Sequence, residues 1–369
     1  MADREDTVLV IGLGDLGQCV VDVLSQHSGG RLIAAARDAE HARSVAGQAA
    51  LVAALCGGPR VVEPAVVDLD DVDGTPEVLA RLQPDVIVLA ASRLTWWRVP
   101  EAARSLPYGA WLPLHVPLVR SLMQAAVAAG IRAPVVALPF PDAVGPVLAG
   151  AGLAPATGAG NVLEMAAKLA VVAAGRAGVG LDAVDVRLVA HHATERVAFS
   201  AFGGLAGDEG APIGPAPLHA GVTVDGEALP EDDVRRLLTA AYPLLSGRAT
   251  HGLTAAATAA TVWALLSEEP RRLHVPAPAG RPGGYPVRIS RAGIELDLPP
   301  GMKEADAIAV NAVAARWDGI ERIEPDGAFV YCRWVSDALE RTLGLRVERV
   351  EPAESDAIAD DLAARLARA

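Results

Sequence analysis

The sequence predicts an α/β protein in which a doubly wound parallel sheet is followed by an α+β domain. Over residues 1–150, apolar segments of strand length alternate with segments of helical periodicity, as in parallel strands joined by crossover helices. Segment 85–91 is apolar after its first residue, which is typical of a strand in a sheet covered by helices on both faces. After residue 150 the alternation becomes less regular, so we expect a second domain there.

The individual elements are predicted from hydrophobic periodicity and from the residues that flank each segment. In the first part, strands are predicted at 7–12, 31–36, 61–67, 85–91 and 134–138, and helices at 15–26, 39–55, 75–82 and 113–129. In the second, we predict helices at 160–175, 231–245, 253–267 and 303–316 and strands at 184–190, 221–224 and 286–298. The expected parts are therefore 1–150, 151–345 and a helical tail at 346–369.

A glycine-rich turn joins the first predicted strand to the first predicted helix. Gly12, Gly14 and Gly17 fit the pattern G-x-G-x-x-G. The first glycine permits a tight turn, the second lets a pyrophosphate approach the backbone, and the third lets the helix pack on the strand. The helix that begins with Asp15 and Leu16 directs free N–H groups toward the phosphates. This strand–turn–helix context predicts a Rossmann domain that binds a dinucleotide.

The residues after the second strand indicate which dinucleotide is bound. An acid there hydrogen-bonds the ribose 2′-hydroxyl of NAD, whereas an arginine suits the 2′-phosphate of NADP. Arg37 follows the strand and Arg43 lies early in the next helix, and a guanidinium can bind a phosphate with two parallel hydrogen bonds. Asp38 is the competing signal, because a shift of one residue brings its carboxylate to the ribose. We expect NADP, with NAD as the alternative.

Charge and composition exclude several classes of partner. The formal net charge is −13 at pH 7, which argues against nucleic acid, because such binding depends on neutralising phosphates. The cysteines Cys19, Cys56 and Cys332 are widely spaced and show no metal-ligand spacing, so we expect no metal site. Residues 1–6 are mostly charged and no apolar helix reaches the ~20 residues that span a bilayer. We expect a cytoplasmic protein without a membrane partner.

Over residues 7–335 the order of motifs resembles the lactate/malate dehydrogenase superfamily. Gly12–Gly17 stands in place of that family's dinucleotide loop and Ala90–Arg93 in place of the start of its mobile loop. Gly158–Glu164 is similar to its Gly-x-Gly-x-x-Leu-Asp, and Val186–His192 to the strand before its catalytic histidine. Gly247–Thr250 is similar to its Lys-Gly-x-Thr. The resemblance implies an NAD(P)-dependent oxidoreductase that forms a homodimer or homotetramer.

Several positions depart from the family's pattern. Phe140 replaces the asparagine before a proline, and Glu164 replaces the catalytic aspartate. The family's substrate-binding arginine falls on Ala167, with Lys168 beside it. The acids and glycines around the family's histidine are also missing. We therefore expect a substrate other than a plain 2-hydroxy acid.

Two adjacent histidines are the candidate proton donors. Reduction of a carbonyl or imine needs such a donor beside the hydride acceptor, and a histidine oriented by a carboxylate supplies it near neutral pH. His191 and His192 lie at the end of a strand. Because successive strand residues point to opposite faces, we expect one of them to face a cleft between the two domains. If Lys168 takes the place of the lost arginine, the alignment with the family shifts by one residue and favours His192. If Glu164 alone fixes the alignment, it favours His191. Glu164 is expected to orient the histidine; the alternative for Glu164 and Lys168 is an ion pair on one helix.

The other candidate site residues lie where strands end or helices begin. Ala91 and Ser92 are expected beside the cofactor, Arg93 and Lys168 at a substrate anion, and Thr250 at the substrate or as a helix N-cap. The predicted function is an NADP-dependent reductase or dehydrogenase that acts on the C=O or C=N group of a small carboxylate-bearing metabolite. The alternatives are an opine- or saccharopine-type dehydrogenase acting on a secondary amine and a non-catalytic NADP-binding protein.

Overall fold

The computed structural model describes residues 5–26, 30–56, 61–94, 99–199, 210–245 and 247–368. Six parallel strands form the main sheet, and they are β1 (Thr7–Ile11), β2 (Arg31–Ala36), β3 (Val61–Val66), β4 (Val86–Leu89), β5 (Val135–Ala137) and β6 (Thr157–Gly158). Their order across the sheet is β3-β2-β1-β4-β5-β6. The chain reverses its direction of winding between β1 and β4, which leaves a crevice at the carboxyl ends of these two strands. The predicted doubly wound parallel sheet is confirmed.

Five helices connect these strands, and they are α1 (Asp15–Ser25), α2 (Ala39–Leu55), α3 (Gly74–Leu82), α4 (Leu112–Ala128) and α5 (Pro141–Ala149). Successive residues of β1 point to opposite faces of the sheet, so Leu9 and Val10 belong to two different hydrophobic clusters. Both faces of the sheet are buried, which is why its central strands are apolar throughout.

The rest of the chain adds three small antiparallel sheets with helices around them. The first region comprises α6 (Asn161–Ala177), β7 (Val184–Val189), α7 (Glu195–Ala198), β8 (His219–Val224), β9 (Glu227–Ala228), α8 (Glu231–Thr239) and α9 (His251–Leu265). The second comprises β10 (Arg271–Pro276), β11 (Gly284–Ser290), β12 (Gly293–Leu296) and α10 (Glu304–Ala314). The last comprises β13 (Ile320–Ile323), β14 (Phe329–Tyr331), α11 (Arg333–Leu343), β15 (Arg349–Val350) and α12 (Ser355–Leu366). The sheets are β7-β8-β9, β10-β11-β12 and β13-β14-β15.

The C-terminal segment is packed into the body of the protein. Strand β15 pairs with β14, and Leu362 of α12 belongs to the same buried cluster as Leu9 of β1. Helix α12 presents an apolar face that α4 covers, so the segment predicted as a helical tail at 346–369 contacts the first part of the chain. None of the helices in the described ranges is long and apolar enough to cross a membrane.

Candidate functional site

A cavity of about 1530 Å³ lies at the carboxyl ends of the parallel strands. It extends from the glycine turn to the segment that follows β7. The predicted site residues that line it are Gly12, Gly14, Asp15, Leu16, Arg37, Asp38, Ala91, Ser92, Arg93, Glu164, His192 and Thr250. Those that do not line it are Gly17, Arg43, Lys168 and His191. The structure therefore brings most of the predicted cofactor loop and one of the two histidines to a single cavity.

The glycine turn leaves room where a ligand would need it. Gly12 has a φ of +94°, and a Cβ there would lie 2.5 Å from the backbone nitrogen of Ala91. A Cβ on Gly17 would lie 1.8 Å from the carbonyl oxygen of Gly12, so the helix can approach the strand only with glycine at this position. Gly14 differs, because no atom of the described residues lies within 4 Å of its ideal Cβ. With no side-chain cap on α1, this open space fits a pyrophosphate bound by backbone N–H groups.

The end of the cavity next to β2 carries charges of both signs. The side chain of Arg37 is 72% exposed, and its Nη1 lies 3.6 Å from Oδ2 of Asp70, which leaves most of the guanidinium open to a ligand. The Asp38 carboxylate caps α2 by accepting a hydrogen bond of 2.6 Å from the backbone N–H of His41. Arg43 is exposed on α2 and lies away from the cavity. Of the two predicted arginines, Arg37 is therefore the one placed to meet a cofactor.

Arg93 is already surrounded by carboxylates. Its guanidinium lies 3.1 Å from Asp360, 3.2 Å from Asp356 and 3.4 Å from Asp70. Two of these acids belong to α12. The arginine thus joins the C-terminal helix to the rim of the cavity, and its charge is compensated before any substrate binds.

Thr250 occupies the N-cap position of α9 but does not cap that helix with its side chain. Its hydroxyl donates a 2.8 Å hydrogen bond to the carbonyl oxygen of Gly247. The hydroxyl therefore stabilises the turn before the helix instead of capping α9, and because Thr250 lines the cavity, its contact with a substrate stays a prediction.

His192 begins a short 3₁₀ turn after β7 and lies in the cavity wall. Its Nδ1 is 2.8 Å from Oδ2 of Asp318, a residue that is 0% exposed. Burial alone would lower the pKa of His192, but the charge and hydrogen bond of Asp318 outweigh that effect and raise the pKa to about 9. Burial opposes ionisation of Asp318 as well, yet the two neighbouring histidines hold the pKa of Asp318 below its usual range. The pair is therefore an imidazolium bound to a carboxylate at neutral pH.

His191 has a different environment. It is 1% exposed, and its Nδ1 lies 3.3 Å from the backbone nitrogen of Ala193 and 3.3 Å from Oδ2 of Asp318, so Nδ1 accepts from Ala193 when it is unprotonated and donates to Asp318 when it carries a proton. Because it lies outside the cavity, its contacts hold Asp318 and the turn in place. Of the two histidines, His192 has the position expected of a proton donor.

The prediction that Glu164 orients the histidine is wrong. Glu164 does line the cavity, but the carboxylate hydrogen-bonded to His192 is that of Asp318. Burial raises the pKa of Glu164, while a hydrogen bond with Thr254 and the charge of His192 act in the opposite direction. Glu164 is thus a second carboxyl group in the cavity wall, and the group that orients His192 is Asp318.

Lys168 lies outside the cavity and is 3% exposed. Its ammonium group donates to the carbonyl oxygen of Ala198, and to those of Leu238 at 2.6 Å and Ala240 at 2.7 Å. These three acceptors use all three of its N–H groups. Lys168 therefore does not face the cavity, where the sequence predicts a contact with a substrate carboxylate. Its three hydrogen bonds instead join α6 to the ends of α7 and α8.

Several groups around His192 were not identified from the sequence. Asp142 accepts a 2.9 Å hydrogen bond from the backbone N–H of His192. The ring of Tyr108 stacks on the imidazole at 4.3 Å, and the ring of Phe140 meets it edge-on at 5.3 Å. Glu195 follows His192 by three residues, and burial raises its pKa. That short spacing is the one local signal available, since the other groups come from distant segments.

Phe140 is held in an unusual backbone conformation. Its φ is +38°, in the left-handed region that non-glycine residues rarely adopt, and Pro141 then starts α5. Strained residues of this kind concentrate at functional sites. Here the conformation places the Phe140 ring at the end of β5, against His192.

Comparison with known proteins gives the fold a name. The chain is similar in structure to a malate dehydrogenase of Cryptosporidium parvum, with 16% identity, a TM-score of 0.55 and coverage of 85% of this chain and 96% of the other. It is also similar to MGS-M5, a lactate dehydrogenase from a Medee basin deep-sea metagenome library, with 13% identity, a TM-score of 0.56 and coverage of 85% of this chain and 97% of the other. A third similar structure is the lactate dehydrogenase of Eimeria maxima, solved with NADH and oxamate, with 12% identity, a TM-score of 0.55 and coverage of 86% of this chain and 93% of the other.

The chain therefore has the fold of the lactate and malate dehydrogenases, and the predicted resemblance is confirmed at the level of fold. No family model matches the sequence. No curated protein is similar to it in sequence.

Proposed function

We propose that the protein is an NADP-dependent reductase or dehydrogenase that acts on the C=O or C=N group of a small carboxylate-bearing metabolite. One observation supports this most strongly: His192, hydrogen-bonded at 2.8 Å to buried Asp318, lines the same cavity as the glycine turn. A dinucleotide site and a charged proton donor in one cavity are what hydride transfer to a polar double bond requires.

The cofactor site is formed by the glycine turn and Arg37. Gly14 and the first turn of α1 would hold the pyrophosphate, and Arg37 would bind the 2′-phosphate. When bound, the cofactor supplies or accepts the hydride. Asp38 and Asp70 lie nearby, so preference for NADP over NAD depends on the phosphate drawing Arg37 away from Asp70.

His192 moves the proton. Its Nδ1 is bonded to Asp318, which leaves Nε2 to donate a proton to the substrate oxygen or nitrogen as negative charge develops there. Asp318 stays ionised and stabilises the imidazolium before the transfer. In the oxidation direction the neutral imidazole accepts the same proton at Nε2.

The stack of rings keeps the donor in place. Tyr108 and Phe140 contact two sides of the His192 imidazole, and Asp142 fixes its backbone. These contacts restrict the rotation of the ring, so that Nε2 keeps one direction relative to the cavity. They also exclude water from part of the site.

A second candidate function is an opine-type dehydrogenase that acts on a secondary amine. Two carboxyl groups, Glu164 and Glu195, line the cavity near His192, and the Nε2 of His192 lies 3.8 Å from Oε2 of Glu195. Burial raises the pKa of both carboxyl groups, and the positive charge of an iminium or amine would favour their ionised form, which a neutral carbonyl would not. This observation makes the C=N reaction worth testing beside the C=O reaction.

Titration with NADPH and NADH followed by assays with 2-oxo acids, alone and with ammonia or methylamine, tests the proposal. We expect NADPH to bind more tightly and to be oxidised in the presence of at least one acceptor. Hydroxy acid products would assign the carbonyl reaction, and amine products the opine-type reaction. Binding of NADPH without oxidation in any mixture would contradict the catalytic role.

A further inference from the structure

His115 of α4 is a buried side chain in the cavity wall with one nitrogen atom unpaired. The residue is 5% exposed and lines the cavity. Its Nδ1 lies 2.9 Å from the hydroxyl oxygen of Ser92. Within the described part of the chain, no group forms a hydrogen bond with Nε2. Because buried polar atoms normally have partners, this nitrogen requires a partner that the described residues do not supply.

The contacts of Ser92 determine which nitrogen of His115 carries the proton. The Ser92 oxygen accepts a hydrogen bond of 3.1 Å from the backbone N–H of Leu94. Its own proton can go to the carbonyl oxygen of Leu114 at 3.5 Å or to Nδ1 of His115 at 2.9 Å. The shorter contact is the stronger one, so Nδ1 accepts and Nε2 carries the proton.

His115 lies close to the proposed proton donor. The rings of His115 and His192 both stack on Tyr108, at 5.8 Å and 4.3 Å, and Phe140 meets both edge-on. Burial and the charge of His192 lower the pKa of His115 to about 3. His115 is therefore a neutral donor, whereas His192 is charged.

We propose that the Nε2–H group of His115 binds a carboxylate oxygen of the substrate, as a neutral donor fixed by Ser92. This rests on the proposed function and names the residue that recognises the substrate. Nε2 is closed off from solvent, so a local rearrangement of the cavity wall accompanies binding.

Arg37 is proposed to bind the cofactor, and the other arginines that line the cavity each contact a different group of the protein. Arg93 is surrounded by three carboxylates, and Arg196 lies 3.6 Å from Asp318. Arg104 is exposed, and its Nε donates to the carbonyl oxygen of Val99 at 3.1 Å. Among the residues that the structure describes, Nε2 of His115 has no such competing partner, which favours it for a direct contact.

The test compares the wild type with His115→Phe, which keeps the ring and removes the donor, and with His115→Gln, which restores a donor. With the best acceptor of the assays above, we expect His115→Phe to raise KM about tenfold with the Kd of NADPH unchanged, and His115→Gln to recover part of that loss. His219→Phe is the control, because His219 is exposed outside the cavity. An unchanged KM in folded His115→Phe, or a raised KM in Arg104→Gln alone, would overturn the proposal.

A second measurement reads the tautomer of His115 in the wild type and uses one variant only to assign the signal. In ¹⁵N-histidine NMR spectra of the wild type, assigned with His115→Gln, we expect one neutral histidine protonated at Nε2 whose signals do not titrate between pH 5 and pH 8. A proton at Nδ1, or titration in that range, would overturn the proposal. A wild type that binds NADPH and reduces no acceptor contradicts the proposed function itself, and the substrate contact of His115 with it.

Discussion

Nδ1 of His192 lies 2.8 Å from Oδ2 of Asp318, although the two residues are 126 positions apart in the chain. Asp318 lies between the 3₁₀ turn after α10 and strand β13. A segment far along the chain from His192 therefore supplies the charge that stabilises the proposed proton donor. The carboxylate can remain ionised in a fully buried position because both neighbouring imidazoles and Arg196 face it. The pH range in which His192 is charged therefore depends chiefly on this contact, with smaller contributions from the charges of Glu195 and Asp142.

Asp318→Asn tests that dependence. The wild-type pKa of His192 is raised to about 9, so reduction, which needs the protonated ring, should persist at neutral pH and fall as the pH rises through that value. Without the carboxylate, burial dominates and the pKa drops, so kcat/KM for reduction should fall at a lower pH. The pH profile of kcat/KM measures this shift, and identical profiles for the two proteins would contradict it.

Gly14→Ala separates cofactor binding from folding. The added Cβ meets no described atom within 4 Å, so the free energy of unfolding should change little, while the methyl group enters the space proposed for the pyrophosphate. We expect a Kd for NADPH raised about tenfold or more. Gly47→Ala, also unobstructed but at an exposed position within α2, is the matched control and should stabilise the helix by about 0.5–1 kcal/mol with NADPH binding intact. Equal affinity in all three proteins would place the cofactor elsewhere.

Arg37→Gln tests cofactor choice. Loss of a charged hydrogen bond to the 2′-phosphate should weaken NADPH binding by about 1.5–3 kcal/mol and leave NADH binding nearly unchanged. Arg43→Gln removes the same charge from a position outside the cavity and should alter neither affinity beyond a screened long-range effect. Fluorescence titration with both cofactors gives the answer. A wild type that prefers NADH would show that Asp38, rather than Arg37, selects the cofactor.

Lys168→Met is expected to affect stability and not chemistry. The substitution removes three hydrogen bonds that a charged group donates. Three buried or half-buried carbonyl groups at the ends of α7 and α8 then lose their partner. A loss of about 2 kcal/mol or more in the free energy of unfolding should result, with KM and kcat at low temperature close to wild type. Chemical denaturation measures the first and steady-state assays the second. A large rise in KM without loss of stability would return Lys168 to the substrate site.

The parallel sheet could be predicted because its signals are local. The strand before Gly12, the spacing to Gly14 and Gly17 and the apolar run at 85–91 each specify an element within a few residues. Helix α5 was missed because it contains Pro141 and Pro146, and the predicted helix at 231–245 extends past the observed end at Thr239.

The site was harder to predict, since its key contacts join distant segments. Nothing near His192 in the sequence points to Asp318, and the acceptors of Lys168 lie 30, 70 and 72 residues away. An acid and a lysine four residues apart on one helix therefore suggested a working pair, whereas the fold directs Glu164 to the cavity and Lys168 away from it.

Turnover in His192→Ala and His191→Ala tests most directly whether His192 donates the proton. We expect His192→Ala to lose about 10²–10⁴-fold in kcat with the Kd of NADPH unchanged. His191→Ala, which alters a residue 1% exposed and outside the cavity, should lose stability and keep most of its kcat. A His192→Ala protein that turns over at the wild-type rate would contradict the central claim that this imidazole donates the proton.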